Sequence, residues 1–319
     1  MTITHRYHWT CPIKTNLKFR AFTIIGLFFY ISPTLSQKVN NVPEAFDAID
    51  PNPIVIHLSN TLDIPTEGGH LQGVQAIGAI GNEKLFLSGS SLDQAYIVRA
   101  DVKNRKTDTL IVLMEDPFRH AGGIQVSNGY LAVGIEDNNT KTKAKVCVYS
   151  YENVGLYHSR PNVTIDREGE AKRPTAGATG LLARDVGYLM VVANWDARVW
   201  DFYAVDVDKG KSWPLKSIAA PDDWASYQSI NLVMDDKGIY AIGFHQEKGT
   251  HLADLFFVSS LDHFDPQVEK IISKTFHCQN GADFIGAAGL QVDDEGKLHV
   301  WATQKNAAGQ IVVNRFSQN

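Results

Sequence analysis

The sequence predicts an all-β fold, a five-bladed β-propeller closed by an N-terminal strand. A short glycine-rich phrase recurs along the chain with spacings of 50, 55, 51 and 60 residues, and self-similarity at such a period indicates a repeat architecture. Each copy precedes short apolar strands separated by Gly, Asn and Asp turns, a pattern typical of β-meanders. No long helical periodicity follows residue 36, which disfavours an α/β fold.

The recurring phrase predicts the innermost strand of each blade. Its first two copies begin His70-Leu71-Gln72-Gly73 and His120-Ala121-Gly122-Gly123, and weaker copies cover 175–180, 226–231 and 286–291. Innermost strands converge on the propeller axis, where small side chains let neighbouring strands approach closely. The small residues that we expect in this role are Gly73, Gly122, Gly123, Gly177, Ala178, Ala287 and Gly289.

Further strands are predicted after each phrase. In the first repeat they cover 84–88, 95–99 and 109–113, and the second repeat copies this plan after the strong hairpin signal Asn128-Gly129. The fifth repeat ends one strand short. We therefore expect the apolar segment Ile54 to Leu58 to complete the last blade and to close the ring.

The first 36 residues are typical of a secretory signal. Three basic residues precede an apolar run over residues 21–32, and small residues precede a cleavage site after Ser36. The alternative is a transmembrane anchor, but the run is short for ~30 Å of hydrocarbon. We expect a secreted or periplasmic protein with a signal peptide at 1–36, a lead-in segment at 37–52 and a single β-propeller domain at 53–319.

The net charge of the cleaved chain excludes two classes of binding partner. Cleavage removes four of the 30 Lys and Arg residues and no acidic residue, which leaves 26 basic against 35 acidic residues and a net charge of −9 with His neutral. A negative surface repels phosphate backbones and anionic lipids, so we expect no nucleic-acid partner and no membrane contact after signal cleavage.

Cys147 and Cys278 lie in blades that are not neighbours, and we interpret both as buried free thiols rather than a disulfide.

The repeats resemble those of uncharacterised secreted bacterial β-propeller repeat proteins. This resemblance runs from Gly69 to the end of the chain and consists of the general blade pattern described above. It implies the propeller fold and carries no functional residues with it.

The axial mouth of the ring is the expected ligand site, because residues that begin innermost strands and residues that follow second strands meet on one rim. Equivalent positions in a repeat also serve the blade itself, so the two rim histidines have a structural alternative. Residues that do not recur are not explained by the repeat, and the flat face of the one tryptophan among them suits a sugar ring, with ordinary packing as the alternative. The predicted ligand-binding residues are His70, His120, Glu136, Asn194, Trp195 and His245.

Four further polar residues recur near the axis. Gln75, Gln125, Asn231 and Gln291 occupy corresponding positions of their repeats. Amide side chains at such positions can satisfy strand ends near the axis, and we expect them to have a structural role.

Two kinds of hydrolase are compatible with the same rim. A glycosidase needs two carboxylates that flank the scissile bond, and five-bladed glycosidases resemble this chain in blade number; Glu136 and Asp283 are the candidate acid and base. A metal-assisted hydrolase would need ligands such as His70, His120, His245 and Glu136 to converge on one ion. No nucleophile elbow, P-loop or dinucleotide fingerprint occurs, and we expect no cofactor.

The sequence therefore predicts a secreted or periplasmic propeller that binds a small polar or carbohydrate ligand at its axial mouth. The alternative is a propeller hydrolase, glycosidic or metal-assisted, that uses the same rim. No catalytic motif decides between a binding protein and an enzyme.

Overall fold

Strands make up nearly all of the regular structure. The computed structural model describes residues 38–65, 67–152, 155–156, 160–259 and 266–318, and the predicted signal peptide at 1–36 lies outside the described residues. Within them the chain forms one short helix, α1 (Val42–Asp47), and 21 strands.

Antiparallel pairing joins these strands into four-stranded sheets that follow one another along the chain. The first sheet contains β2 (Leu71–Ile77), β3 (Lys84–Ser90), β4 (Gln94–Asp101) and β5 (Lys106–Glu115). The second contains β6 (Phe118–Ser127), β7 (Tyr130–Asp137), β8 (Lys143–Glu152) and β10 (Val163–Glu168), with the two-residue β9 (Gly155–Leu156) beside β8. The third contains β11 (Ala178–Ala183), β12 (Tyr188–Ala193), β13 (Val199–Asp206) and β14 (Lys211–Ala219). The fourth contains β15 (Ser229–Met234), β16 (Ile239–Glu247), β17 (Thr250–Ser259) and β18 (Gln267–Phe276). The last contains β19 (Ala282–Val292), β20 (Leu298–Gln304), β21 (Gln310–Ser317) and β1 (Ile54–Ser59).

The N-terminal strand completes the last sheet, as predicted. β1 pairs antiparallel with β21 from Ile54 opposite Arg315 to Ser59 opposite Gln310. The first strand of the described chain is therefore hydrogen-bonded to the last one, and separation of the two would open the ring.

The innermost strands of the sheets form a closed circuit. β2 contacts β6, β6 contacts β11, β11 contacts β15, β15 contacts β19, and β19 returns to β2. Gly289 is required by this packing, since a Cβ atom there would collide with the carbonyl oxygen of Val74 on the neighbouring strand. Gly177 was expected to play the same part, but a Cβ atom there would meet nothing closer than 3.7 Å. The fold is a β-propeller.

Amide side chains fill the axis of the ring, which confirms their predicted structural role. Gln75 Nε2 donates to Asn231 Oδ1 across the axis at 3.1 Å, and Gln125 Nε2 donates to the Leu232 carbonyl at 2.7 Å. Gln291 Oε1 accepts from Trp301 Nε1 at 2.9 Å. These side chains are almost fully buried, and their hydrogen bonds are made to one another, to Trp301 or to backbone groups of facing strands.

The lead-in segment is more tightly packed than its polar composition suggested. Asn41 caps α1, and Val42, Ala45 and Phe46 on the helix are buried in a cluster with apolar residues of the fourth and last sheets. The backbone N–H of Val42 donates to the buried Asp235 carboxylate at 3.0 Å. This segment therefore contributes to the core of the propeller.

The two cysteines of the described chain form no disulfide. Cys147 and Cys278 are both free, as predicted. Burial raises the pKa of Cys147 to about 11 and the pKa of Cys278 to about 12, so both are thiols at neutral pH. Among the described residues, none of the helical segments has the length and apolar character needed to cross a bilayer.

Candidate functional site

The candidate site lies at the end of the ring where innermost strands begin and second strands end. His120 at the start of β6 is the register partner of Glu136 near the end of β7. The ladders of β2, β6 and β19 all shift register close to this end, at Leu71, His120 and Asp283 respectively. Such bulges redirect side chains and are frequent beside active sites.

Two histidines of this rim are joined by one glutamine. Gln72 Nε2 lies 2.9 Å from His70 Nε2 and 2.9 Å from His120 Nε2. The Nδ1 atom of His70 lies 2.7 Å from the Leu71 carbonyl oxygen. The two rings and the amide therefore form a continuous polar row between the first and second sheets.

A buried carboxylate continues this row. Glu136 is fully buried, its Oε1 accepts from the backbone N–H of Ala176 at 2.6 Å, and its Oε2 lies 3.2 Å from His120 Nδ1. The last contact is within ion-pair distance but lacks hydrogen-bond geometry, so both atoms are without a hydrogen-bond partner. Buried polar atoms without a partner cost about 1–3 kcal/mol each and call for an explanation.

Trp195 lies next to this pair. Its ring centroid is 5.8 Å from that of His120, and the ammonium of Lys141 lies 3.8 Å from its centroid. Its backbone N–H donates to Thr175 Oγ1 at 2.7 Å. The following residue, Asp196, has a φ of +65°, a left-handed conformation that is unusual outside glycine. The turn is thus held in a strained shape that presents the indole at the mouth.

Asn194 supports that turn rather than facing a ligand. Its Oδ1 accepts from the backbone N–H of Val199 at 2.7 Å, and its Nδ2 donates to the Lys172 carbonyl at 3.2 Å. Both ends of the amide are therefore engaged in holding the chain around Trp195.

His245 belongs to a different cluster. Its Nε2 lies 3.5 Å from Asp254 Oδ2, and its ring packs edge-on against Tyr227, with centroids 5.4 Å apart. Asp254 also accepts from the Tyr227 hydroxyl at 2.5 Å and from Ser273 Oγ at 2.6 Å. These contacts connect His245 to the interior of the fourth sheet.

Asp283 influences the other end of the row. The pKa of His70 lies below its ordinary value, chiefly because the ring is buried, while the Leu71 carbonyl and the negative charge of Asp283 act in the opposite direction. Asp283 itself lies in the innermost strand β19, where no carboxylate was expected, and its Oδ1 accepts from the backbone N–H of Gly286.

The convergence of histidines on a metal ion is not found. In the described part of the chain no group of three or more His, Cys, Asp or Glu side chains is placed to hold a metal ion. His245 contacts the Asp254 cluster, whereas His70 and His120 are joined by Gln72. The metal-assisted version of the hydrolase hypothesis therefore lacks its ligand set among these residues.

A separate cavity of 470 Å³ opens at the opposite end of the ring. It is lined by turns of the second and third sheets, including Tyr130, Tyr188, Asp206 and Asp208. The Tyr188 hydroxyl donates to the Asn128 carbonyl at 3.1 Å. We place the candidate site at the axial mouth instead, because that end combines the buried unpartnered atoms with the strained turn.

The structure thus brings together most of the predicted rim residues. His70, His120, Glu136 and Trp195 form one connected group, Asn194 holds the turn beside it, and His245 lies in another group. Their role in ligand binding stays a prediction. Gln72 was not among the predicted residues; the corresponding position carries Gly122 and Gly177 in the next two copies of the phrase and Gln228 in the fourth.

Comparison with known proteins gives a fold relationship. No protein-family model matches the sequence, and no curated protein matches it. Among solved structures, the chain is similar to a GH43 endo-arabinanase from Bacillus licheniformis with a TM-score of 0.51 and 9% identity, over 79% of this chain and 95% of that one. It also matches an exo-β-1,3-galactanase from Phanerochaete chrysosporium with a TM-score of 0.49 and 9% identity, over 84% of this chain and 65% of that one. The likeness to the endo-arabinanase supports the propeller fold, and no sequence family supports the repeat class that the sequence resembles.

Proposed function

We propose that this protein is a carbohydrate-active propeller that binds a saccharide at its axial mouth and hydrolyses a glycosidic bond there. The observation that carries the proposal is the buried Glu136 carboxylate beside His120, with both facing atoms left without a hydrogen bond. A pair that only stabilised the fold would gain by completing that bond. Catalytic hydrogen bonds, in contrast, are often poorly aligned until a substrate binds.

The positions of two carboxylates support the hydrolase hypothesis. Glycoside hydrolysis requires one carboxyl group that protonates the leaving oxygen and a second that acts as base or nucleophile. Glu136 contacts His120 at one end of the row, and Asp283 lies in β19, the innermost strand that pairs with β2 beside His70. We assign Glu136 and Asp283 to these two roles. The endo-arabinanase with the same fold makes arabinan oligosaccharides the first substrates to test.

Trp195 supplies the apolar surface for a sugar ring. An indole offers a flat face that matches the C–H face of a pyranose or furanose. The ammonium of Lys141 lies over the ring of Trp195, so a sugar stacking on that face must displace a side chain that is itself partly exposed.

A second candidate is saccharide binding without turnover. It is favoured by one observation: both nitrogens of His70 and the Nε2 of His120 already have partners inside the protein. A protein that only recognises a sugar would need no free base at this rim. Turnover measurements separate the two candidates.

The test is a saccharide panel with a matched pair of tryptophan variants. Arabinan, galactan and xylan oligosaccharides are incubated with the mature chain, and new reducing ends and binding isotherms are measured. Trp195→Ala should raise the Kd or KM about tenfold, whereas Trp213→Ala, which removes a tryptophan that is 47% exposed on an outer strand, should change neither. Equal effects of both variants, or no binding of any saccharide by the folded protein, would refute the proposed site.

Export is part of the same proposal. The basic and apolar composition of residues 1–36 supports removal of a signal peptide after Ser36. The mass of the protein recovered from its native host should correspond to a chain that begins at Gln37. A recovered protein that still carries residues 1–36 would contradict cleavage.

A further inference from the structure

The protonation of His70 follows from its neighbours. Its Nδ1 lies 2.7 Å from the Leu71 carbonyl oxygen, which can only accept, so Nδ1 carries the hydrogen. Burial lowers the pKa of this ring, which favours the neutral form. A neutral ring with its hydrogen on Nδ1 has a lone pair on Nε2, and that atom faces Gln72.

The same amide sets the tautomer of His120. The Gln72 amide nitrogen has two hydrogens, and it lies 2.9 Å from the Nε2 atom of each ring. One hydrogen is donated to His70, and the other is directed at the Nε2 lone pair of His120. The hydrogen of a neutral His120 is then on Nδ1, which faces Glu136 Oε2 at 3.2 Å.

The opposite orientation of the amide is unfavourable. With Gln72 Oε1 towards the rings, both Nε2 atoms would need a hydrogen. A neutral His70 would then point its Nδ1 lone pair at the Leu71 carbonyl oxygen from 2.7 Å, and two acceptors at that distance repel. The alternative is a buried cation at His70, which burial and the positive charge of Lys305 disfavour.

We propose that Gln72 is a positioning residue that fixes His120 as an Nδ1–H tautomer, the same tautomer that the Leu71 carbonyl imposes on His70, with the Nε2 lone pairs of both rings covered by its amide. The Nδ1–H of His120 then faces Glu136 Oε2 at 3.2 Å without hydrogen-bond geometry, and the Nε2 of His120 keeps its lone pair. A saccharide hydroxyl can reach this nitrogen only by taking the place of the Gln72 amide. This last consequence rests on the proposed function, whereas the tautomers do not.

Histidine-selective ¹⁵N labelling tests the proposal directly. Long-range ¹H–¹⁵N spectra of the mature chain above pH 8 distinguish Nδ1–H from Nε2–H rings, and His70→Gln and His120→Gln assign the signals. We expect Nδ1–H for both rings. His299 serves as an internal control in the same spectrum, because its Nε2 lies 2.9 Å from Asp293 Oδ2 and should therefore carry the hydrogen. Nε2–H signals for His70 and His120 would overturn the proposal.

A substitution at Gln72 adds a second readout. Gln72→Glu places an acceptor-only carboxylate between the two Nε2 atoms, so His120 should become protonated on Nε2, and the pKa values of both rings should rise by about 1 unit or more. Gln72→Leu should leave both Nε2 atoms without a donor, so that His120 populates both tautomers while His70 keeps its hydrogen on Nδ1. Unchanged tautomers and pKa values in a folded Gln72→Glu variant would contradict the assignment, and failure of that variant to fold leaves the wild-type spectrum decisive.

The outcome is separable from the proposed function. The spectra are recorded without saccharide, so a protein that hydrolyses nothing still gives the tautomers. If the tautomers are as expected but no saccharide binds, the proposed function fails and the positioning role of Gln72 stands.

Discussion

Glu136 and Glu83 show how the surroundings of a buried carboxylate indicate its role. Both side chains are fully buried. Glu83 receives a charged hydrogen bond from Arg315 at 2.6 Å, which neutralises it in the way expected of a structural ion pair. Glu136 faces His120, whose charge depends on protonation, and the contact lacks hydrogen-bond geometry. Each carboxylate has one oxygen without a hydrogen-bond partner, so the difference between the two lies in the partner, a permanent cation for Glu83 and a histidine for Glu136.

The sequence identified part of this residue set by asking which rim residues do not recur. That criterion found Glu136 and Trp195, which do lie together at the mouth. It applied equally to His245, which the structure connects to Asp254 instead, because the direction of a side chain at a strand end is not readable from spacing alone. The criterion could not find Gln72, since this residue lies inside the phrase that defined the repeat and Gln228 occupies the same position of the fourth copy.

The two buried aspartates of the third and fourth sheets predict how stability depends on pH. Asp201 and Asp254 occupy third strands, and each accepts from a serine directly opposite, Ser217 and Ser273. Burial by itself would raise both pKa values, but the surrounding donors and positive charges outweigh burial and hold the pKa of each carboxyl below its ordinary range. Their contribution to stability is therefore present above the unfolded pKa of about 3.9 and is lost as the pH falls through the folded pKa.

We expect Asp254→Asn to cost about 3 kcal/mol of unfolding free energy at pH 7, because it leaves the donors around a buried site without their charged partner. The difference from wild type should shrink steadily below about pH 5. Urea midpoints between pH 3 and pH 7 measure it. Asp166→Asn, at an exposed pair with Lys145, is the control and should change stability by less than about 1 kcal/mol at every pH. A difference for Asp254→Asn that does not vary with pH would contradict the assigned cause.

At the scale of elements, β1 has two different faces along six residues. Ile54 is on the same face as Leu58 but starts the strand, where it is 53% exposed. Leu58 is fully buried in a cluster with Leu71 and Trp301, whereas the preceding residue His57 is exposed. The alternation of buried and exposed positions follows from the two-residue period of a strand. β1 therefore holds the ring closed through side-chain packing as well as through its ladder with β21.

Leu58→Ala should lower the unfolding free energy by about 2–5 kcal/mol, since it leaves a cavity at the point where the ring closes. Ile54→Ala changes the same strand at an exposed position and should cost less than about 1 kcal/mol. Chemical denaturation of both variants provides the comparison. If Leu58→Ala lowered the unfolding free energy as little as Ile54→Ala, β1 would contribute through its backbone alone.

Strand order and closure were predictable because they depend on period-two patterning and on the fifth repeat being a strand short. Burial of the lead-in segment was not. Phe46 is fully buried, yet it lies in a stretch of mixed polarity where α1 is too short to show a periodic apolar face. Its packing depends on Asn41 as a cap and on Asp235, a residue far away in the sequence.

For the molecule as a whole, the filled axis decides where a ligand can bind. Gln75, Gln125 and Asn231 bond to one another or to facing backbone across the centre. The amides occupy the centre of the ring, so we expect a ligand at the end of the ring where His120, Glu136 and Trp195 lie. The likeness to an endo-arabinanase concerns the fold of the ring alone.

The most direct measurement of the central claim is the turnover of Glu136→Gln against Glu83→Gln on the best saccharide of the panel. Glu136→Gln keeps the shape and the acceptor for the Ala176 N–H but removes the titratable group, so kcat should fall by about 10²-fold or more while saccharide binding persists. Glu83→Gln alters an equally buried glutamate that is paired with Arg315, and it should lower stability but leave kcat within about twofold. Full activity in a folded Glu136→Gln variant, or equal losses in both, would contradict catalysis at the axial mouth.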